Sequence, residues 1–70
     1  MMAYQEQPGD YRVKVEQSDI DPMYFSYHFW HYQNREWKYL YKAPEVVMVE
    51  NLRGHTNLYS ADGYDYWRRN

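Results

Sequence analysis

The stretch Met23–Lys42, MYFSYHFWHYQNREWKYLYK, leaves a chain few ways to fold. It holds nine of the fifteen Phe, Trp and Tyr residues, two of the three tryptophans among them, with no glycine and no proline. Aromatic residues favour strands, where a bulky side chain packs on a pleated surface. Asn34 tolerates a left-handed backbone and suits a tight turn. A two-residue loop at Asn34-Arg35 pairs Gln33 with Glu36, Tyr32 with Trp37, Trp30 with Tyr39 and His28 with Tyr41. A four-residue loop over 33–36 keeps that register. The rival helix fails because the rings surround the whole helical circumference from Tyr24 to Tyr41, with no polar side.

Strand side chains alternate between faces. One face of the hairpin is expected to carry Tyr24, His28, Trp30, Tyr32, Trp37, Tyr39 and Tyr41. The other carries Phe25, Tyr27, Phe29, His31, Lys38, Leu40 and Lys42. Lys38 and Lys42 call for water, so Trp37, Tyr39 and Tyr41 are expected inside, opposite Trp30 and Tyr32. Phe25, Tyr27, Phe29 and Leu40 then need a cover, because soluble monomers rarely expose a large contiguous apolar patch.

Around the hairpin, residues 1–10 read as a flexible tail, and 11–70 as a single small β-rich domain. Tyr11–Gln17 alternates cleanly, with Tyr11, Val13 and Val15 on one side and Arg12, Lys14 and Glu16 on the other. Residues 18–22, rich in Asp and Pro, form a turn. Pro44 ends the third strand, since proline cannot donate to a ladder. Residues 45–52, EVVMVENL, carry conflicting signals. Pro44, Glu45 and Gly54 suit a short helix, whereas three valines in four positions favour a strand; a strand is expected. Arg53-Gly54-His55 reads as a turn, 56–60 as a fifth strand, and Asp62-Gly63 as another tight turn. The aromatic end at 64–67 should fold back on the hairpin's second face or dock on another protein. The fold class is all-β, or β-rich α+β: a small antiparallel meander of four or five strands centred on residues 23–42.

Composition narrows the function. Seventy residues without cysteine bury only about 60% of the unfolded surface and have no disulfide to reinforce them. Large rings or self-association must compensate. A formal charge of −2 opposes generic nucleic-acid binding, which needs a positive field. No apolar run approaches the ~20 residues of a membrane helix, and the N-terminus lacks a leader pattern. A soluble, cytoplasmic protein without membrane contact is expected.

No catalytic, cofactor or metal constellation stands out. His28 and His31 fall on opposite faces of a strand, and a structural zinc site needs four ligands, usually with cysteine. Asp19 and Asp21 are explained by a turn. No serine sits in a nucleophile elbow, and Gly9, Gly54 and Gly63 are too scattered to cradle a phosphate. No enzyme and no cofactor are expected.

Phe25, Tyr27, Phe29 and His31, with Lys38 and Lys42 between them, could stack bases as cold-shock barrels do. That is the alternative reading. Protein recognition is the stronger one. Tyr, Trp and Arg concentrate binding energy at interfaces, and this chain has ten tyrosines, three tryptophans and five arginines. The expected contact residues are Phe25, Tyr27, Phe29, His31, Lys38, Leu40 and Lys42 on the hairpin. Tyr64, Tyr66, Trp67, Arg68 and Arg69 join them from the C-terminal end. The partner is a larger protein that the module occludes or bridges, with a homodimer through a sheet edge or the aromatic face as a further mode. In general character the chain is similar to phage-encoded inhibitors of host defence or host enzymes, such as anti-CRISPR proteins, a likeness of class rather than of motif.

Overall fold

The computed structural model describes residues 4–70. Its elements are β1 (Tyr11–Gln17), β2 (Phe25–Gln33), β3 (Glu36–Pro44), α1 (Glu45–Asn51), β4 (His55–Ala61) and β5 (Tyr64–Arg69). The strands form one antiparallel sheet in the order β3-β2-β1-β5-β4. The β-rich class expected from the sequence is therefore what the chain adopts. The meander covers β1 to β3 only. The β4–β5 hairpin adds to the free side of β1, so the terminal aromatic segment extends the sheet instead of folding over it.

Both two-residue turns follow from residues that accept positive φ. Asn34 and Arg35 sit at 53° and 64°, and Asp62 and Gly63 at 56° and 83°. Left-handed pairs of this kind match the twist of the strands they join. The β2–β3 pairing runs as anticipated from Gln33↔Glu36 to Trp30↔Tyr39, then shifts at a bulge beside Phe29 and Trp30. Beyond it, Phe29 lies opposite Tyr41 and His28 opposite Lys42. The expected pairing of His28 with Tyr41 is thus off by one residue. One extra residue, Leu40, sends Tyr41 to the other side of the sheet.

The inward side is also the reverse of the expected one. Val13, Phe29, Ala43 and Leu52 are the buried apolar residues, with Tyr11, Tyr27, Met48 and Trp67 packed against them. Phe29 is 1% exposed, whereas Tyr39 is 51% exposed. The lysines misled because neither needs the face on which it was placed to be wet throughout. Lys38 lies near the turn, where it pairs with Glu36 at 3.7 Å. Lys42 crosses to the opposite face at the bulge.

The cover over Phe29 is α1, where a strand was expected. Pro44 caps the helix at φ −71° with no side-chain bond, and Glu45 stands in the first turn. Met48 and Leu52 are four residues apart, hence on one helical face, and both join the core. Val46, Val47 and Val49 point outward at 40–75% exposure. Burial of Met48 and Leu52 therefore outweighs the modest helix penalty of three valines, at most ~0.7 kcal/mol each. Because α1 packs on β2 and β3, it leaves the rest of that face thinly covered and the opposite face bare. The exposed area, 5428 Å², exceeds the ~4,800 Å² that mass scaling gives for a compact monomer of this size.

Two substitutions test this arrangement by urea denaturation. Phe29→Ala should cost about 3–5 kcal/mol, as for a large buried ring; a loss below ~1 kcal/mol would place Phe29 outside the core. Arg35→Gly should stabilise by up to ~1 kcal/mol, since glycine carries no penalty at positive φ.

Candidate functional site

The face away from α1 is a raft of rings set in rows by strand register. One row reads Tyr39, Trp30, Arg12, Tyr66 and Tyr59 across all five strands. The next reads Lys42, His28, Lys14, Tyr64 and Ala61. Trp37 and Tyr32 pair towards the hairpin tip. The rings pack mostly tilted or edge to face. Trp30 meets Tyr39 at 5.2 Å and 74°, and Tyr64 at 5.3 Å and 76°. Trp37 meets Tyr66 at 5.6 Å and 64°. Such geometry aligns the positive edge of one ring with the negative face of another.

Arg12 is the centre of the raft. Its guanidinium carbon lies 4.4 Å from the Tyr64 ring centroid, 4.9 Å from Trp37 and 5.1 Å from Trp30. Its Nε is buried without a hydrogen-bond partner. No carboxylate pairs with it among the described residues. The aromatic faces therefore supply its main local electrostatic compensation, each contact contributing about 0.5–2 kcal/mol. Lys14 adds a second cation, 5.3 Å from the Tyr64 centroid.

At one margin, Asp10 fastens the chain preceding β1. The residue is 1% exposed. It accepts bonds from Arg68 Nε and Nη2 at 2.8 and 2.9 Å, the Tyr4 hydroxyl at 2.6 Å and the Gln7 amide at 3.0 Å. Burial pushes its pKa upward, but the Arg68 bonds, then those of Tyr4 and Gln7, outweigh it and hold the carboxyl below its ordinary range. Burial, followed by the bond to Asp10, raises the Tyr4 phenol well above its ordinary value. Tyr4 in turn lies near-parallel to Tyr59 at 5.7 Å and packs on Tyr66 at 4.6 Å. Of the expected tail, residues 1–3 lie outside the described residues; residues 4–10 are held to the raft's edge through these contacts.

The anticipated contact residues divide between the two faces. Tyr64, Tyr66 and Lys42 stand on the raft, and Arg68 borders it, bound to Asp10. Phe29 is sealed under α1. Tyr27 is half-buried beside it, its hydroxyl donating to Glu45 at 3.3 Å. Trp67 packs against the core. His31 stacks on Tyr11 at 4.6 Å. Phe25, Lys38, Leu40 and Arg69 are exposed but do not join the raft rows. Phe29 is thus a buried core side chain in this fold, and Trp67 is partly buried against that core.

The sequence reading overlooked Arg12, Asp10, Tyr4 and Tyr59. The alternation of Arg12, Lys14 and Glu16 did place their side chains away from the core. It carried no sign that tryptophans from β2 and β3 share that side. His28, facing the raft, contacts the Tyr39 hydroxyl at 2.9 Å and Glu16 at 3.2 Å. His28 and His31 thus face opposite ways. Asp21 accepts a bond from the Met23 amide, while Ser18 Oγ accepts from the amides of Ile20 and Asp21; this is turn chemistry. Comparison with known families, curated proteins and solved structures found no match.

The Asp10 clasp has a pH signature. Its carboxyl is more acidic in the folded chain than in the unfolded one, so on acidification the unfolded chain takes up the proton first. The stabilisation is fully present above about pH 4 and is lost as pH falls through the lower folded value. Asp10→Asn should be less stable than wild type at neutral pH, with the gap closing in acid. A pH-independent gap would show that the carboxylate charge is not what holds the clasp.

Proposed function

We propose that the chain is a small non-enzymatic module that binds a larger protein through the Arg12-centred raft, occluding or bridging its surface. The observation that carries this reading is the bare sheet face itself. It presents a contiguous set of Tyr and Trp rings with polar tips, held in place before any partner arrives. Such residues bury large area at low entropic cost and dominate interface energetics. Prior packing of the rings against one another lowers the ordering cost of association. An inhibitor of the type that phages direct against host defence or host enzymes, acting in the cytoplasm, is the form of module we favour. A homodimer through the same raft is the competing occupant.

The geometry also favours protein over single-stranded nucleic acid. Base stacking needs ring faces open to the ligand. Here Arg12 lies near the faces of Trp30, Trp37 and Tyr64, and neighbouring rings meet edge to face. The alternative surface containing Phe25 and Phe29 lies on the side covered by α1. The net charge of −2 gives no long-range attraction for phosphates.

Affinity capture from the native host, comparing wild type with Tyr39→Asp on the raft and Val46→Asp on α1, tests the reading. Both positions are exposed, at 51% and 75%, so both variants should fold, as checked by circular dichroism. The expected result is one dominant protein partner, kept by the Val46 variant and lost by the Tyr39 variant. Retention by the Tyr39 variant, or salt-sensitive binding to single-stranded DNA in place of a protein partner, would contradict the proposal.

A further inference from the structure

The end of the opposite face, where α1 stops short of the sheet, holds an open cleft of about 590 Å³. Its lining includes His31, His55, Arg53 and Arg69, grouped around Tyr11. The Tyr11 ring touches both imidazoles, stacked with His31 at 4.6 Å and edge-on to His55 at 5.6 Å. Arg69 is the direct cross-strand partner of His55.

The one carboxylate in the lining is Asp10, and its charge is consumed by Arg68 at 2.8 Å. Arg53 pairs with Glu50 at 3.0 Å, but both groups are mostly exposed, and a pair of that kind is weak in water. Arg69 has no acidic partner among the described residues. The cleft therefore gathers cationic and protonatable groups with no free anion to balance them.

We propose that this cleft binds a tetrahedral oxyanion, the phosphoryl group of a phosphorylated ligand, with Arg53 and Arg69 supplying the charge and the His31 and His55 rings lining the site. The site meets the raft only at its margin, where Asp10 and Arg68 line the cleft as well. His55 Nδ1 lies 3.3 Å from the Arg53 carbonyl. The groups around His31 are the Tyr11 ring on β1, Lys38 across on β3 and Asn51 at the end of α1. Those around His55 are Arg69 on β5, Arg53 in the preceding turn and Tyr11. The volume exceeds that of a bare oxyanion, which fits a phosphoryl group carried on a larger molecule.

Sulfate is the defining probe, because it is a tetrahedral dianion with no group of its own to titrate near neutral pH. Titration followed by NMR should shift the His31 and His55 ring signals, which line the cleft. Arg69→Gln should weaken sulfate binding by about tenfold or more, the loss of one charge-assisted contact, while raft signals stay in place. AMP and a phosphoserine peptide, titrated in parallel, distinguish sources. Tighter binding of the first points to a nucleotide and of the second to a phosphoprotein, and either supports the site. Sulfate shifts spread over distant lysines, or binding untouched by Arg69→Gln, would overturn it.

Discussion

Arg12 stands on the central strand with its charge held over three aromatic rings. A partly buried guanidinium without a carboxylate is costly unless something compensates its lost hydration. Trp30, Trp37 and Tyr64 come from β2, β3 and β5, so compensation requires those strands to lie on both sides of β1 in the observed register. A slip of one residue between β1 and β2 would move Trp30 to the other face. The cation thus links the hairpin at 25–44 to the terminal segment at 64–69, across a sheet whose apolar core has four buried residues among those described. Ring packing on one face and the Phe29 core on the other together supply the reinforcement that a cysteine-free chain of this length needs.

The two faces then differ in kind. Beneath α1, apolar side chains are sealed from water and stabilise the fold. On the raft, rings are fixed by one another yet still half-exposed, so little ordering of those side chains remains to be done. Asp10 extends this order to the chain before β1, since its bonds to Arg68 and Tyr4 tie residues 4–10 to the C-terminal strand. The cleft around Tyr11 lies on the α1 side and has different chemistry, with arginine and imidazole side chains in its lining. One small sheet therefore carries two surfaces of different chemistry that meet at Asp10 and Arg68.

Local signals in the sequence were sufficient where local physics decides. Asn34 and the Asp62-Gly63 pair marked both tight turns, and the alternation from Tyr11 to Gln17 marked β1. The helix at Glu45–Asn51 escaped because its cause is tertiary. Met48 and Leu52 have somewhere to pack only once Phe29 and Ala43 lie side by side, and three valines pull the local preference the other way. The bulge at Leu40 is equally silent, since nothing in WKYLYK announces an extra residue, yet it decides which face Tyr41 and Lys42 occupy. The inverted core followed from reading Lys38 and Lys42 as markers of a single wet face. As for the candidate site, Tyr64 and Tyr66 were anticipated, but Arg12 was not. Its role depends on rings that are distant in sequence and adjacent only in the sheet.

The most direct test is the environment of the Arg12 side chain in solution. Rings stacked about a guanidinium shift its methylene and Nε–H protons upfield and give cross-relaxation to the ring protons of Trp30, Trp37 and Tyr64. Both effects are expected in the isolated protein. Arg12 protons at unstructured-peptide positions, with no contact to those rings, would contradict it.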